Sequence, residues 1–347
     1  ILRKGKYKIP HFAHQSAEDC HGFSEGESFA HLSGKLAMFD QLQAQHSVAV
    51  LEKSFSLISQ RADLFLPGLK LAVEYQCSPL AFDRVKSRTD GYRQVACQVL
   101  WILGDKYFQR RITHQDIRKF AYFEASLGFY ILYYSTKFRQ YIIRYQVVEE
   151  YGRLVYKQNF AKTFGELQDF INDFNFSLEN PINSKGSQRD SQLILRQLKR
   201  IQYSLTKGSP TYIDSVTDCY QKGRVFNGCP LICHCSAATT PPIFRWESLR
   251  WRVWLVLRLF EAGKVSHSNH DLNRLFIDSL KIFGSEIVQV SEYIKFFQVE
   301  FTRFISELRR YGYLIHTLTG VKVVKRPQWF SDYYAKREFI VIKGVRM

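Results

Sequence analysis

The spacing of apolar residues predicts alternating helices and strands over the first hundred residues. Apolar positions after Ser24 recur at a helical interval: Phe29, Leu32, Leu36, Phe39 and Leu42. "HSVAVLEKSFSLIS" alternates like a strand, and "RADLFLPGLKLAVEYQ" reads as two short strands around the turn "PGLK". "LAFDRVKSRTDGYRQVA" predicts a second helix, and "CQVLWILG" predicts a buried strand. The predicted order is helix, three strands, helix and strand.

The remainder of the chain is predicted to contain a basic helix over 105–121 and three antiparallel strands within 122–160. A polar segment over 180–191 is rich in turn formers and predicts a linker. Later helices are predicted within 192–207, 244–263, 268–283 and 297–311, followed by a hairpin turning at Thr319 and Gly320. The resulting domain prediction is an N-terminal remnant (1–22), a first domain (23–121), a strand-and-linker extension (122–191) and a helical, basic C-terminal domain (192–347).

The helix followed by a hairpin at the C-terminus resembles a winged helix. In that interpretation 297–311 is the recognition helix, and Lys322, Lys325 and Arg326 on the wing contact nucleic acid. Many unrelated domains also end with a helix and a hairpin, so this alternative stays open here.

Composition and charge narrow the class of protein. Apolar residues make up 46% of the 347-residue chain, which excludes a disordered protein. The formal net charge is +17, and residues 219–347 carry 20 Lys and Arg against 10 Asp and Glu, which favours a polyanionic partner. The sequence contains neither a run long enough for a membrane span nor an apolar signal core. We therefore expect a cytoplasmic protein without a membrane partner, and the odd cysteine count, seven, argues against a disulfide framework.

Two acids lie in or beside the strands that flank the "PGLK" turn. Asp63 and Glu74 are eleven residues apart, and an antiparallel turn can bring them side by side. Glu74 and Gln76 share one face of the second strand, while the apolar neighbours of Glu74 share the other. Hard Mg²⁺ or Mn²⁺ ions are bound by such carboxylates in phosphodiester hydrolysis. Alternatively, Asp63 could belong to an ordinary turn and form an ion pair with Arg61.

The order of a helix bearing a glutamate, then Asp, a turn, Glu-x-Gln and a second helix resembles the PD-(D/E)XK nuclease superfamily. The resemblance sharpens over 1–104, where "KIPHFAHQ", "GESFAHLSGK", "RADLFLPGLKLAVEYQCS", "RTDGYRQ" and "VLWILG" resemble the competence protein CoiA family. The implied fold is α/β (α+β): a mixed sheet flanked by helices, like that of restriction endonucleases, followed by a mainly helical region. The implied activity is DNA processing during natural transformation and recombination.

The resemblance also implies roles for individual residues. Asp63 and Glu74 would hold the metal, Gln76 would occupy the place of the superfamily lysine, and Glu27 would match the acid of the first helix. His31 and Lys35 follow Glu27 at intervals of four residues, and Arg88 and Tyr92 have the same spacing on the second helix. All four are predicted to contact phosphate, or else to lie on solvated helix faces. Glu27 could instead form a capping box with Ser24.

The sequence departs from the superfamily pattern at Gln76, which is neutral and supplies no positive charge to a transition state. The cysteine pairs that resemble a zinc ribbon in the CoiA family are absent, although four N-terminal residues could be a remnant metal site: His11, His14, Cys20 and His21. A second group could bind zinc but has poor spacing, so a buried reduced cluster is the alternative: Cys219, Cys229, Cys233, His234 and Cys235.

The sequence therefore leads to two hypotheses of different classes. The first is a nuclease that hydrolyses DNA, single-stranded or branched, with Mg²⁺ or Mn²⁺. The second is a weak or inactive DNA-binding recombination factor that contacts a recombinase; an enzyme acting on RNA is a third alternative. The tryptophans and arginines of 245–254 interleave as on single-strand binding surfaces, although Trp251 and Trp254 also fit a core helix face.

Overall fold

A computed structural model describes residues 2–5, 8–12, 28–174, 187–234 and 239–344. The chain divides into two compact units, which are treated separately below. Unit 1 comprises Ile1–Gln146 and Tyr156–Asn175, and unit 2 comprises Val147–Val155 and Phe176–Met347. No helix within the described ranges combines the length and hydropathy required to span a bilayer.

Unit 1 follows the predicted order and extends it. Its elements are β1 (Leu2–Gly5), β2 (Lys8–Phe12), α1 (Phe29–Ala44), β3 (Val50–Phe55), β4 (Gln60–Leu66), β5 (Leu71–Gln76), α2 (Phe82–Gln94), β6 (Gln98–Leu103), α3 (Asp105–Phe108), α4 (His114–Phe120), β7 (Tyr122–Glu124), β8 (Gly128–Ser135), β9 (Gln140–Glu150), β10 (Arg153–Ala161) and α5 (Phe164–Asp173). The predicted basic helix over 105–121 is two helices, α3 and α4. The N-terminal hairpin of β1 and β2 was not predicted.

The strands β3 to β10 form one mixed sheet in the described part of the chain. Its order is β10-β9-β8-β6-β5-β4-β3, with β7 paired to β8. The pairings β5–β6 and β6–β8 are parallel, and β3–β4, β4–β5 and β8–β9 are antiparallel. Since β8 pairs with β6, the predicted boundary between residues 121 and 122 falls inside this sheet. The predicted mixed sheet flanked by helices is confirmed.

The sheet has a hydrophobic core on each side. The core beneath α1 and α5 includes Met38, Val73 and Tyr75, and the smaller core beneath α2 includes Ala72 and Tyr92. Residues of β5 thus alternate between the two sides, as a strand requires. Asp63, Glu74 and Gln76 belong to strands with these two cores above and below them.

The turns on either side of β4 have the same geometry. A short 3-10 helix, Ser56–Ile58, precedes β4, and a second, Pro67–Leu69, follows it. Each ends at a left-handed residue, Ser59 with φ 49° and Lys70 with φ 47°. These tight turns set the lengths of the connections from β3 to β4 and from β4 to β5.

The first helix begins later than its apolar spacing suggested. Helix α1 begins at Phe29, and Ser28 in an extended conformation is its N-cap, accepting a hydrogen bond from His31 N at 3.2 Å. The prediction of an N-cap at Ser24 is therefore wrong, because Ser28 is the residue whose side chain accepts a hydrogen bond from the first turn of the helix. Glu27 and Ser24 lie outside the described residues.

Unit 2 is mainly helical. Its elements are α6 (Ser187–Thr206), α7 (Ile213–Gln221), α8 (Ser248–Leu259), β11 (Ser266–Ser268), α9 (Asn269–Phe283), α10 (Tyr293–Arg310), β12 (Leu314–Thr317), β13 (Gly320–Val323) and α11 (Tyr333–Lys343). The three strands form a small antiparallel sheet of order β11-β13-β12. The predicted helix and hairpin are confirmed, and β11 before α9 adds a third strand to the hairpin. The winged-helix interpretation stays a prediction.

Helix α8 is buried on nearly every side. Trp251 and Trp254 belong to the core, as the sequence pattern suggested. Arg250 and Arg252 are also buried, so the expectation that these two arginines belong to a single-strand binding surface is wrong. Arg250 donates hydrogen bonds to Ser215 Oγ at 3.0 Å and to the Thr211 carbonyl at 2.9 Å, which replaces the solvent that an exposed guanidinium would require.

Candidate nuclease site

The site lies where the hydrogen-bonded ladder between β4 and β5 stops. Leu64, Phe65 and Leu66 pair with Val73, Ala72 and Leu71, and this register places Asp63 opposite Glu74. Asp63 Oδ2 instead accepts a hydrogen bond from the backbone N–H of Tyr75 at 2.8 Å. The side chain thus takes the place of a ladder carbonyl, which fixes the carboxylate against the neighbouring strand.

A third acid occupies the same row of the sheet. The β3–β4 register pairs Leu51 with Leu64 and Lys53 with Ala62, which places Glu52 opposite Asp63. Glu52 has a left-handed backbone, with φ 52°, where this ladder is interrupted. Glu52, Asp63 and Glu74 therefore lie on three adjacent strands, eleven residues apart in each step. That repeated interval was a signal in the sequence that could have identified Glu52.

Asp63 is held by the first helix as well as by the sheet. His31 Nε2 lies 3.1 Å from Asp63 Oδ2, and the His31 ring stacks on Tyr75 with centroids 6.0 Å apart. Burial disfavours the charged carboxylate, but the hydrogen bond and charge of His31 and the amide of Tyr75 outweigh it, so the pKa of Asp63 is lowered. Asp63 is therefore ionised at neutral pH. Its other oxygen, Oδ1, accepts no hydrogen bond from the described residues.

Glu74 is held from the opposite side by α2. Its Oε1 atom accepts hydrogen bonds from Arg88 and Tyr92, one helical turn apart. Arg88 also donates to the Arg61 carbonyl at 3.0 Å, which anchors its guanidinium to β4. Burial raises the pKa of Glu74 to about 7, an effect that Arg88 opposes and Asp63 reinforces. The Oε2 atom of Glu74 accepts no hydrogen bond within the described part of the chain.

Lys35 is buried rather than on a solvated helix face. Its Nζ atom lies 2.5 Å from Glu52 Oε1, while Arg61 binds the second oxygen of Glu52 at 3.1 Å. Arg61 thus pairs with Glu52. The ordinary-turn alternative required an ion pair between Arg61 and Asp63, which the described residues do not form. The Lys35 charge also helps to lower the pKa of Asp63.

Gln76 lies on the same face of β5 as Glu74. The alternate residues Val73, Tyr75 and Cys77 all pack into the core beneath α1, which leaves Glu74 and Gln76 on the opposite face. The Gln76 amide donates to the Ser78 carbonyl at 2.6 Å. Its side chain is half-buried, and its Oε1 atom accepts no hydrogen bond from the described residues.

The three predicted wing residues have different environments in unit 2. Lys322 on β13 and Lys325 beyond it are exposed. The Arg326 guanidinium donates to the carbonyls of Phe260, Glu261 and Lys264, so it holds the segment after α8 in place. A nucleic-acid role for these residues stays a prediction.

The cysteine cluster of unit 2 surrounds an ammonium group. Lys336 Nζ, fully buried, lies 2.8 Å from His234 Nε2 and 3.3 Å from Cys229 Sγ. Burial opposes ionisation of Cys229, but hydrogen bonding from Cys233 and the charge of Lys336 lower its pKa. Cys229 and His234 do not fit zinc, since a cation already lies against both donors.

Cys235 and three of the four N-terminal candidates, His14, Cys20 and His21, lie outside the described residues, as does the side chain of His11.

No group of three or more His, Cys, Asp or Glu side chains within the described ranges is arranged to hold a metal ion. The five described cysteines are free thiols: Cys77, Cys97, Cys219, Cys229 and Cys233. The acid pair of β4 and β5 is therefore the remaining candidate, as a two-carboxylate site of the kind that Mg²⁺ accepts together with water.

A mixed sheet between helices, with an acid pair at the β4–β5 divergence, defines a nuclease-like domain. Residues 27–170 match the family model of the competence protein CoiA nuclease-like domain, and residues 1–23 match the CoiA N-terminal domain. The two matches together lie within residues 1–170 and confirm the resemblance read from the sequence.

A curated relative supports the same assignment. Competence protein CoiA of Bacillus subtilis (strain 168) is 36% identical over 111 residues, and the match covers 31% of this chain and 30% of that protein. No solved structure matches the chain.

Proposed function

We propose that unit 1 is a nuclease that hydrolyses phosphodiester bonds of DNA with Mg²⁺ or Mn²⁺ held by Asp63 and Glu74. The observation that carries this proposal is the paired acids themselves. They lie opposite each other on adjacent strands, and each has one oxygen that accepts no hydrogen bond from the described residues.

The charges around the pair suit a divalent cation. Asp63 contributes to the raised pKa of Glu74, so the two carboxylates oppose each other's ionisation. Arg88 neutralises one oxygen of Glu74, and His31 contacts one oxygen of Asp63. The remaining oxygens are hard donors of the type that Mg²⁺ and Mn²⁺ prefer.

A bound cation would polarise the phosphate and lower the pKa of an attacking water. The protein's own residues orient the two carboxylates. His31 and the Tyr75 amide fix Asp63, while Arg88 and Tyr92 fix Glu74 from α2. Gln76, half-buried on the same face as Glu74, would orient water or phosphate through its free carbonyl oxygen.

DNA as the substrate rests on two supports. The relative in Bacillus subtilis is a competence protein by its name, and the net charge of this chain, +17, favours a polyanion. We accordingly propose action on DNA during transformation and recombination.

The test is cleavage of labelled single-stranded, double-stranded and branched DNA in Mg²⁺, Mn²⁺ or EDTA. We expect cleavage with Mg²⁺ or Mn²⁺ and none in EDTA, and we expect Asp63→Asn and Glu74→Gln to lower the rate by at least about a hundredfold. Asp90→Asn is the matched control, because Asp90 is a half-buried acid of α2 whose one ion pair among the described residues is with Arg93. Absence of cleavage with every cation, or cleavage by both site variants at the parental rate, would remove the nuclease proposal.

One observation favours a second candidate, a DNA-binding factor that assists a recombinase without cutting. Gln76 is neutral, and the nearby cation Arg88 already binds Glu74, so the site offers little further positive charge to a transition state. Gln76→Lys separates the candidates. If the parent binds DNA without cutting it and Gln76→Lys gains metal-dependent cleavage, the DNA-binding factor is favoured. If the parent itself cuts DNA, the nuclease is supported.

A further inference from the structure

Unit 2 contains a second surface whose chemistry is independent of the acid pair. Helices α8, α9 and α10 precede the β12–β13 hairpin, and β11 pairs with β13 to join the hairpin to the start of α9. Gly320 makes this pairing close, since a Cβ there would lie 2.0 Å from the His267 carbonyl oxygen. The small sheet therefore joins the hairpin to the start of α9, and α10 leads into the hairpin at β12.

Helix α10 has two acids, and both face inward. Glu300 is 2% exposed and Glu307 is 6% exposed. Glu300 binds Arg252 at 3.0 Å and Arg303 at 2.5 Å, and Glu307 lies 3.7 Å from Arg252. The negative charge of α10 is thus buried and neutralised, which leaves no exposed carboxylate between Tyr293 and Arg310.

The outward face of α10 is mainly polar and basic, although Val299 there is apolar and exposed. One stripe at helical spacing consists of exposed side chains that include the donors and acceptors able to read base edges: Lys295, Gln298, Thr302, Ser306 and Arg309. Gln298, Thr302 and Arg309 make no side-chain hydrogen bond or ion pair with the described residues. Lys295 pairs with Glu292 just before the helix, and Ser306 Oγ donates to the Thr302 carbonyl at 2.9 Å. The helix spans ~27 Å at 1.5 Å per residue, and its diameter suits a B-DNA major groove.

We propose that the outward face of α10, with the exposed Lys322 of the hairpin, binds duplex DNA in the major groove. Single strands require exposed aromatic platforms, and this stripe contains none. Double-stranded RNA has a major groove too deep and narrow for a helix. Gln298, Thr302 and Ser306 contact base edges, and Arg309 and Lys322 contact phosphates. This site is distinct from the proposed nuclease site and does not require it.

The test measures binding of the full chain to a labelled 20-base-pair DNA, to its single strand and to duplex RNA by fluorescence anisotropy, all in EDTA. EDTA removes divalent cations, so binding is measured without metal-dependent cleavage. We expect Arg309→Glu to weaken duplex binding about tenfold or more and to flatten the salt dependence, because a phosphate contact is lost. Arg337→Glu, an exposed arginine of α11 with the same change of charge, is the matched control.

Equal loss of affinity in Arg309→Glu and Arg337→Glu would mean that only overall charge matters, and would overturn the proposal. Single-stranded DNA or duplex RNA bound as tightly as duplex DNA would do the same. Thr302→Ala gives an independent check without a change of charge. It should reduce discrimination between duplex sequences while leaving the salt dependence unchanged, and circular dichroism should show each variant folded.

Discussion

Asp63 Oδ2 accepts the backbone N–H of Tyr75 at 2.8 Å, so a side chain of β4 completes the hydrogen bonding of β5. The same atom lies 3.1 Å from His31 Nε2. Asp63 is consequently both a structural acceptor and a candidate metal ligand. These two roles can be separated by choosing the replacement.

Asp63→Ala should destabilise the protein more than Asp63→Asn does. Alanine leaves the Tyr75 amide without an acceptor, which costs about 1–3 kcal/mol, whereas asparagine retains a carbonyl oxygen of similar reach. Urea unfolding at neutral pH measures the difference. Both replacements should remove cleavage. Equal stability of the two variants would therefore contradict the structural role of Asp63 but not its proposed role as a metal ligand.

Glu74 should make stability depend on pH. Its pKa is raised from 4.5 to about 7 by burial, so the folded state binds the proton more tightly than the unfolded chain does. The stability from protonated Glu74 is therefore complete below pH 4.5 and is lost as pH rises to about 7.

We expect the free energy of unfolding of the parent to fall by about 3 kcal/mol across this interval relative to Glu74→Gln, which does not titrate. Denaturant unfolding at a series of pH values provides the measurement. Parallel curves for parent and variant would rule out the raised pKa.

Gly34 should tolerate no side chain. A Cβ at Gly34 would lie 2.1 Å from Tyr75 Cε1, so Gly34→Ala must displace either α1 or the ring that stacks on His31. We expect a loss of about 1–3 kcal/mol and reduced cleavage, because the displacement also moves His31 away from Asp63. Gly68→Ala is the control, since a Cβ there meets nothing within 4 Å. Thermal unfolding of both variants measures the difference. Equal melting temperatures would refute the predicted clash at Gly34.

Lys336 should stabilise unit 2 through its buried contacts with Cys229 and His234. Lys336→Met leaves these groups without their cation, and we expect a cost of about 3 kcal/mol. The neighbouring Arg337→Met changes an exposed residue and should cost less than about 0.5 kcal/mol. Chemical unfolding compares the two, and similar midpoints would show that the ammonium contributes little.

Local periodicity predicted most elements because the strands and helices of unit 1 have clear apolar spacing. Glu74 and Gln76 were placed on the correct face by alternation alone. Pairing between distant strands is not encoded in local spacing, so the continuation of the sheet from β6 to β8 could not be predicted. The start of α1 was misplaced because Ser24 and Ser28 are both acceptable caps in sequence.

The partners of the acids were harder to predict than the acids themselves. Glu52 in an alternating strand looks like an ordinary solvent-facing residue, and apart from the eleven-residue interval only the strand register reveals its position beside Asp63. Lys35 binds Glu52, and Arg88 and Tyr92 bind Glu74, contacts that the sequence did not predict. Their contact with phosphate stays a prediction. A sequence shows charge and spacing, but it does not show which carboxylate a helix will meet across the sheet.

The two matching turns around β4 set the interval along the chain between successive acids of the row. Each turn closes on a left-handed residue, Ser59 or Lys70, and each sets an eleven-residue step from one acid to the next. Inserting one residue in either turn would reverse the facing of every later side chain on the adjoining strand. The lengths of these turns therefore determine the candidate site as much as the identities of Asp63 and Glu74 do.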